Sequence, residues 1–159
     1  MTSVLRDYGL FAIGWLALVG ATVAFAFWIE EMNANELEGL EVGLRGPVPV
    51  QWQSDFVFTV LVTNTTPEPV TVTSVEVDVG LAEALRFGAS EPAYRNSSLD
   101  ESGTIQMYFY NDEIPPDHEL PIQFSAHATR LRTEEGDVVV CFAERYSCAA
   151  VSANLPVVP

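Results

Sequence analysis

DFVFTVLVTNTTPEPVTVTSVEVDV, residues 55–79, is the stretch whose reading decides the fold. Its first part is a long apolar run rich in β-branched and aromatic residues. Its last part alternates Val with Thr, Ser, Glu and Asp at a period of two. That period sends successive side chains to opposite faces of a sheet, so both parts read as strands. Between them NTTPEP, residues 64–69, supplies the Asn, Thr and Pro chemistry of a turn.

The same signal continues outward in both directions. Residues 40–44 alternate before it. After it come residues 104–110, then Leu120, Ile122, Phe124 and Ala126 at alternate positions, then residues 138–142 and 151–157. Residues 96–98 (NSS) and 115–117 (PPD) read as loops. Within 104–110 the alternation places Ile105, Met107 and Phe109 on one face and Tyr108 and Tyr110 on the other. Seven or eight short strands at this spacing, without a helical period, predict an all-β fold, an antiparallel sandwich over residues 40–159.

Residues 60–72 (VLVTNTTPEPVTV) resemble the second and third strands of bacterial extracytoplasmic immunoglobulin-like modules, in which a Val-x-Val-x-Asn strand end precedes a polar turn. Residues 114–122 (IPPDHELPI) are similar to the proline-bearing turn before a later strand of that class. The resemblance spans about residues 40–157. It implies an immunoglobulin-like β-sandwich that binds or scaffolds, and it brings no catalytic residues.

Ahead of this domain, residues 8–29 carry no charge. As a helix rising 1.5 Å per residue they span roughly 33 Å, the thickness of a bilayer core. Tyr8 and Trp28 stand where aromatic rings favour the two interfaces. Ala24-Phe25-Ala26 resembles a signal-peptidase site, but the run is longer than a usual signal core and is preceded only by Arg6, so a retained transmembrane helix is expected. Residues 30–39 extend that helix and stop at Gly39. The placement of Arg6 puts residues 1–7 in the cytoplasm and residues 40–159 on the periplasmic or extracellular side. Gly14, Ala17, Ala21 and Ala24 form a small-residue stripe suited to close packing on other membrane helices. Phe11, Trp15, Leu18 and Phe25 line the adjoining face.

The chain has 22 acidic residues against 7 basic ones, all Arg, for a net charge of −15. Such a surface repels nucleic acid and attracts basic proteins. The only cysteines, Cys141 and Cys148, flank a six-residue segment between two predicted strands, which predicts a structural disulfide in an oxidising compartment. Closing so short a loop contributes about 2.5 kcal/mol in the chain-entropy account.

Catalytic and metal-binding signatures are not found. There is no G-x-S-x-G motif and no glycine-rich phosphate loop. His118 and His127, the only histidines, lack a partner at metal-ligand spacing. The acid pairs Asp100-Glu101, Asp112-Glu113 and Glu134-Glu135 fall in predicted turns. Asn64 and Asn96 each begin an N-glycosylation triplet. Tyr108 and Tyr110, beside Asp112 and Glu113, form a candidate protein-contact patch, the alternative being that the rings cover a second layer or a sheet edge. No enzyme activity, cofactor or metal is expected. The expected function is a non-catalytic accessory subunit of a larger integral-membrane complex, with an energy-transducing assembly such as a photosynthetic reaction centre or a respiratory complex as a natural host and a basic soluble protein docking on the acidic domain. The alternative is a free-standing membrane-tethered recognition module of adhesin, pilin or ligand-binding type.

Overall fold

The computed structural model describes residues 39–143 and 147–159. The predicted membrane helix, with Tyr8, Gly14, Ala17, Ala21, Ala24 and Trp28, lies outside the described residues, as does its extension up to residue 38. Among the described residues no helix is long and apolar enough to cross a membrane.

The chain enters at Gly39, whose φ of +84° is open to glycine at little cost. It then forms β1 (Leu40–Arg45), β2 (Val50–Gln51), β3 (Asp55–Asn64), β4 (Val70–Asp78), α1 (Val79–Leu85), β5 (Ser90–Glu91), β6 (Asn96–Leu99), β7 (Ile105–Ile114), β8 (His118–His127), β9 (Glu134–Phe142), β10 (Cys148–Leu155) and β11 (Val157–Val158). One antiparallel sheet has the order β1-β3-β8-β5 and a second has β10-β9-β4-β7-β6. β11 and β2 make a separate parallel pair. The sequence turn at residues 64–69 therefore carries the chain from one sheet to the other.

The inner faces of both sheets meet in one core. Phe58, Val60 and Val62 of β3 and Ile122 and Phe124 of β8 face Val72, Val75 and Val77 of β4 and Val138 and Val140 of β9. The fold is thus a β-sandwich, held mainly by removing these side chains from water, roughly 1.5–3 kcal/mol for each large one.

Asn64 explains the Asn at the end of the β3 motif. It is completely buried. Its Nδ2 donates to the carbonyls of Glu68 (2.9 Å), Ile114 (3.0 Å) and Pro115 (3.2 Å), while Oδ1 accepts from the N–H and hydroxyl of Thr66 (3.0 and 2.6 Å). One amide group shapes the β3–β4 turn and ties it to the end of β7. The side chain is fully committed in the fold, so the glycosylation triplet there is closed off, while Asn96 is exposed.

Several sequence expectations are corrected. Val79, expected as the last residue of a strand, opens the helix Val79–Leu85. Asp78 Oδ1 accepts from the N–H groups of Gly80 (2.7 Å) and Leu81 (3.4 Å), and Leu81, Ala82, Ala84 and Leu85 are buried. Residues 96–98 are part of β6, because β7 offers them a free edge. Asp112-Glu113 and Glu134-Glu135 lie in β7 and β9 instead of turns.

Candidate functional site

The strand registers define what each sheet presents to the outside. On the four-stranded sheet the outward rows are polar. One row runs Glu41, Thr63, Glu119 and another Arg45, Thr59, Gln123, Glu91. A third pairs Asp55 with His127, whose Nδ1 is 2.7 Å from Asp55 Oδ1. Apolar interruptions are few: Leu61 beside Pro121, and Val57.

The five-stranded sheet differs. Its central outward row runs Ala150, Val139, Glu76, Met107, Ser98 from β10 to β6. The next row runs Cys148, Cys141, Ser74, Phe109, Asn96. Directly opposed residues of neighbouring strands sit about 5 Å apart, so Val139, Met107, Phe109 and the cystine surround Glu76. Val139, Met107, Phe109 and Glu76 are half-buried, whereas Ser74 is 5% exposed. The Ser74 hydroxyl donates to Glu76 Oε1 (3.1 Å). Cys141 Sγ lies 3.6 Å from the same oxygen, a contact only, because a disulfide sulfur has no proton to donate. The result is a carboxylate planted among apolar side chains at the middle of the face.

Cys141 and Cys148 are joined by a disulfide at directly opposed positions of β9 and β10. Tyr108 and Tyr110, for which a contact patch and a place under the second layer were both open, are core residues at 6% and 5% exposure, which corrects the contact-patch reading. Tyr108 packs against Phe87, Tyr94 and Phe124, with ring centroids 6.4, 5.2 and 5.0 Å away. The Tyr110 hydroxyl donates to Ser90 Oγ (2.9 Å), which also accepts from the N–H of Tyr94 (3.2 Å) and donates to the carbonyl of Pro92 (2.7 Å). A phenol can be buried when its O–H finds a partner, so a strand with apolar residues at every second position can turn its tyrosines inward. Burial pushes the Tyr108 phenol up to about 12 and raises that of Tyr110 further. Of the expected patch, Asp112 is half-buried and Glu113 exposed, beyond Phe109 on β7.

His118 sits at the start of β8 with Nδ1 2.7 Å from the carbonyl of Pro116, far along the strand from His127. Among the described residues no three His, Cys, Asp or Glu side chains gather to hold a metal ion. Sequence reasoning missed Glu76: its strand showed only alternation, and the apolar neighbours that make it unusual arrive from β7 and β9.

No protein-family model matches the chain, and no curated protein matches it. Among solved structures it is similar to Escherichia coli alpha-2-macroglobulin activated by porcine elastase, at 12% identity and a TM-score of 0.47, over 76% of this chain and 9% of that one. It is also similar to AvmM, which catalyses macrocyclization in alchivemycin A biosynthesis, at 11% identity and a TM-score of 0.46, over 77% and 91% of the two chains. The CARDB domain of the PF1109 protein from Pyrococcus furiosus, solved in complex with di-metal ions, matches at 17% identity and a TM-score of 0.43, over 75% and 87%. Likenesses this low bring no activity, metal or partner to this chain.

Proposed function

We propose that the chain is a non-catalytic accessory subunit of an integral-membrane assembly, held by the helix over residues 8–29 with its sandwich on the non-cytoplasmic side. The sandwich has an immunoglobulin-like order, supported by the way β3, β4, β8 and β9 alternate between the two sheets. It docks on its partner through the outer face of the five-stranded sheet. The observation that carries this reading is the contrast in outer faces: one is polar, the other sets Met107, Phe109, Val139 and the cystine around Glu76. Apolar side chains ringing one charge suit a partner surface that brings a Lys or Arg to Glu76, which adds specificity to apolar burial.

Gentle solubilisation of the native membrane, followed by size and mass analysis of the tagged full chain, tests the proposal. The wild type is expected in a defined heteromeric complex, and Phe109→Asp and Glu76→Lys each release it. A monodisperse monomer from the native membrane, or a complex indifferent to both substitutions, would overturn the reading.

A further inference from the structure

Four strands end the two sheets: β1 and β5 on one, β10 and β6 on the other. Exposed edges invite pairing with foreign strands, and proteins blunt them with charge, proline or brevity. Three of these edges are blunted. β5 has two residues and runs into Pro92, β6 has four residues, and β1 displays Glu41 and Arg45. β10 is different: its eight residues, CAAVSANL, include neither a charge nor a proline. Among the described residues no strand pairs with its outer edge.

The surroundings of β10 indicate what would pair there. Where the last residues of β10 approach the end of β1 and the segment after it lies a cleft of about 530 Å³, lined by Leu44, Arg45, Val48, Phe58 and Leu155 and also by the outward-facing Ser152 and Asn154. On the outer side, Ser152 donates to Asp137 Oδ1 (2.7 Å) and Asn154 to Glu135 Oε1 (3.2 Å). Both carboxylates therefore lie one strand in from the edge, and neither meets a cation among the described residues. Just past β10 the chain pairs again: β11 takes β2 as a parallel partner, with Val50 N–H donating to the Pro156 carbonyl (3.0 Å) and Trp52 N–H to that of Val158 (2.7 Å).

We infer that the free edge of β10 receives an extended segment of a partner protein with alternating apolar and basic side chains. The segment becomes a sixth strand of the sheet. Its apolar side chains enter the cleft beside Phe58 and Leu155, and its Lys or Arg side chains lie over Asp137 and Glu135. Backbone pairing supplies affinity and the two side-chain rows supply specificity. A second copy fits poorly. The inward residues of its β10 already pack on its own core, leaving the cleft unfilled, and two chains each of charge −15 repel.

This edge adjoins the face around Glu76, since Asp137 lies two residues from Val139 on β9, but it engages the backbone of β10 and not the side chains of β7, so either can fail alone. The test uses the full chain in mild detergent and amide hydrogen exchange. The probe is the capped peptide Lys-Val-Lys-Leu-Lys-Val-Lys, compared with its block-ordered isomer and with the same peptide methylated on every backbone nitrogen. The alternating peptide is expected to slow exchange in residues 148–155 about fivefold or more, while the two controls leave it unchanged. Replacing Glu135 by Gln and Asp137 by Asn together weakens the effect about tenfold in peptide concentration. Equal protection by all three peptides would reduce the effect to charge alone and overturn the inference. Protection confined to residues 105–109, or none at millimolar peptide, would overturn it as well, while leaving the docking face around Glu76 standing.

Discussion

The two outer faces of the sandwich are made by the same alternation and have opposite characters. Thr63, Thr59, Gln123, Ser125 and Glu119 dominate the four-stranded sheet, interrupted by Val57 and by Leu61 beside Pro121. On the five-stranded sheet Met107, Phe109 and Val139 gather around the Glu76 carboxylate, with Asn96, Ser98, Glu135 and Asp137 toward its margins. Scattered surface apolar residues need no explanation, but a contiguous group on one face and not on its counterpart marks a surface with a use. The difference also bears on the edges, since the unprotected strand β10 belongs to the apolar sheet.

The comparison breaks most easily at the phase of β7. If Tyr108 faces in and Phe109 out, Tyr108→Ala removes a core ring and costs about 3–4 kcal/mol. Phe109→Ala then costs under about 1 kcal/mol. Urea unfolding of both variants reads this directly. Equal losses, or the reverse order, would mean that the apolar face is the core and the contrast is lost.

A second substitution asks whether the faces are held by one hub. Asn64 begins on the four-stranded sheet and donates to the Ile114 carbonyl on the five-stranded one. Asn64→Ala leaves buried carbonyls and the Thr66 hydroxyl without their partner, with an expected loss of about 3 kcal/mol. Asn64→Asp keeps the acceptor and loses the three donor contacts, so it is expected to recover little. Wild-type stability in either variant would remove the hub.

β7 and Asn64 also mark where the sequence was legible. β4 and β8 were readable because only one of their faces is apolar, so hydropathy and geometry agree, and β3 was readable as an unbroken run of β-branched and aromatic residues. β7 was not, because IQMYFY is apolar at both phases and Tyr pairs a buried ring with a satisfied hydroxyl. α1 left a faint trace: Asp78 as a cap, then Leu81, Ala82 and Leu85 at helical spacing, too short a span to outweigh the preceding strand pattern. β5 and β6 have no apolar signature at all; they exist because β8 and β7 offer them edges. The alternation around Glu76 was visible, but its meaning depends on cross-strand neighbours far away in sequence.

A smaller effect sharpens the contrast between faces. Glu76→Leu joins Val139, Met107 and Phe109 into one apolar patch on the five-stranded face, while Thr59→Leu adds one apolar residue to the polar face. Neither is expected to change folding stability by more than about 1 kcal/mol. The first is expected to drive self-association in analytical ultracentrifugation, and the second to leave the chain unassociated under the same conditions. Similar behaviour of the two variants would mean that the faces are not distinct in practice.

The most gradual effect is in pH, and it reports which aromatic residues are inside. Burial holds the Tyr108 phenol at about 12 in the fold, against 10.0 for a free tyrosine, and the Tyr110 phenol is raised too. Because the folded state keeps these protons longer than the unfolded chain does, their contribution to stability is complete below pH 10. It is then lost as pH rises from 10 through about 12. Asp100 acts at the other extreme. Its carboxylate accepts from the Ser102 hydroxyl and from the N–H groups of Ile105 and Thr104 (both 2.8 Å), which holds it down at about 2 against 3.8. Its contribution is complete above pH 3.8 and is lost as pH falls through about 2. Chemical denaturation across this range is therefore expected to show a plateau with an alkaline shoulder that Tyr108→Phe and Tyr110→Phe flatten, and an acid shoulder that Asp100→Asn flattens. An alkaline shoulder unchanged by the two Phe substitutions would place the phenols in water, and with them the face that β7 turns to the partner.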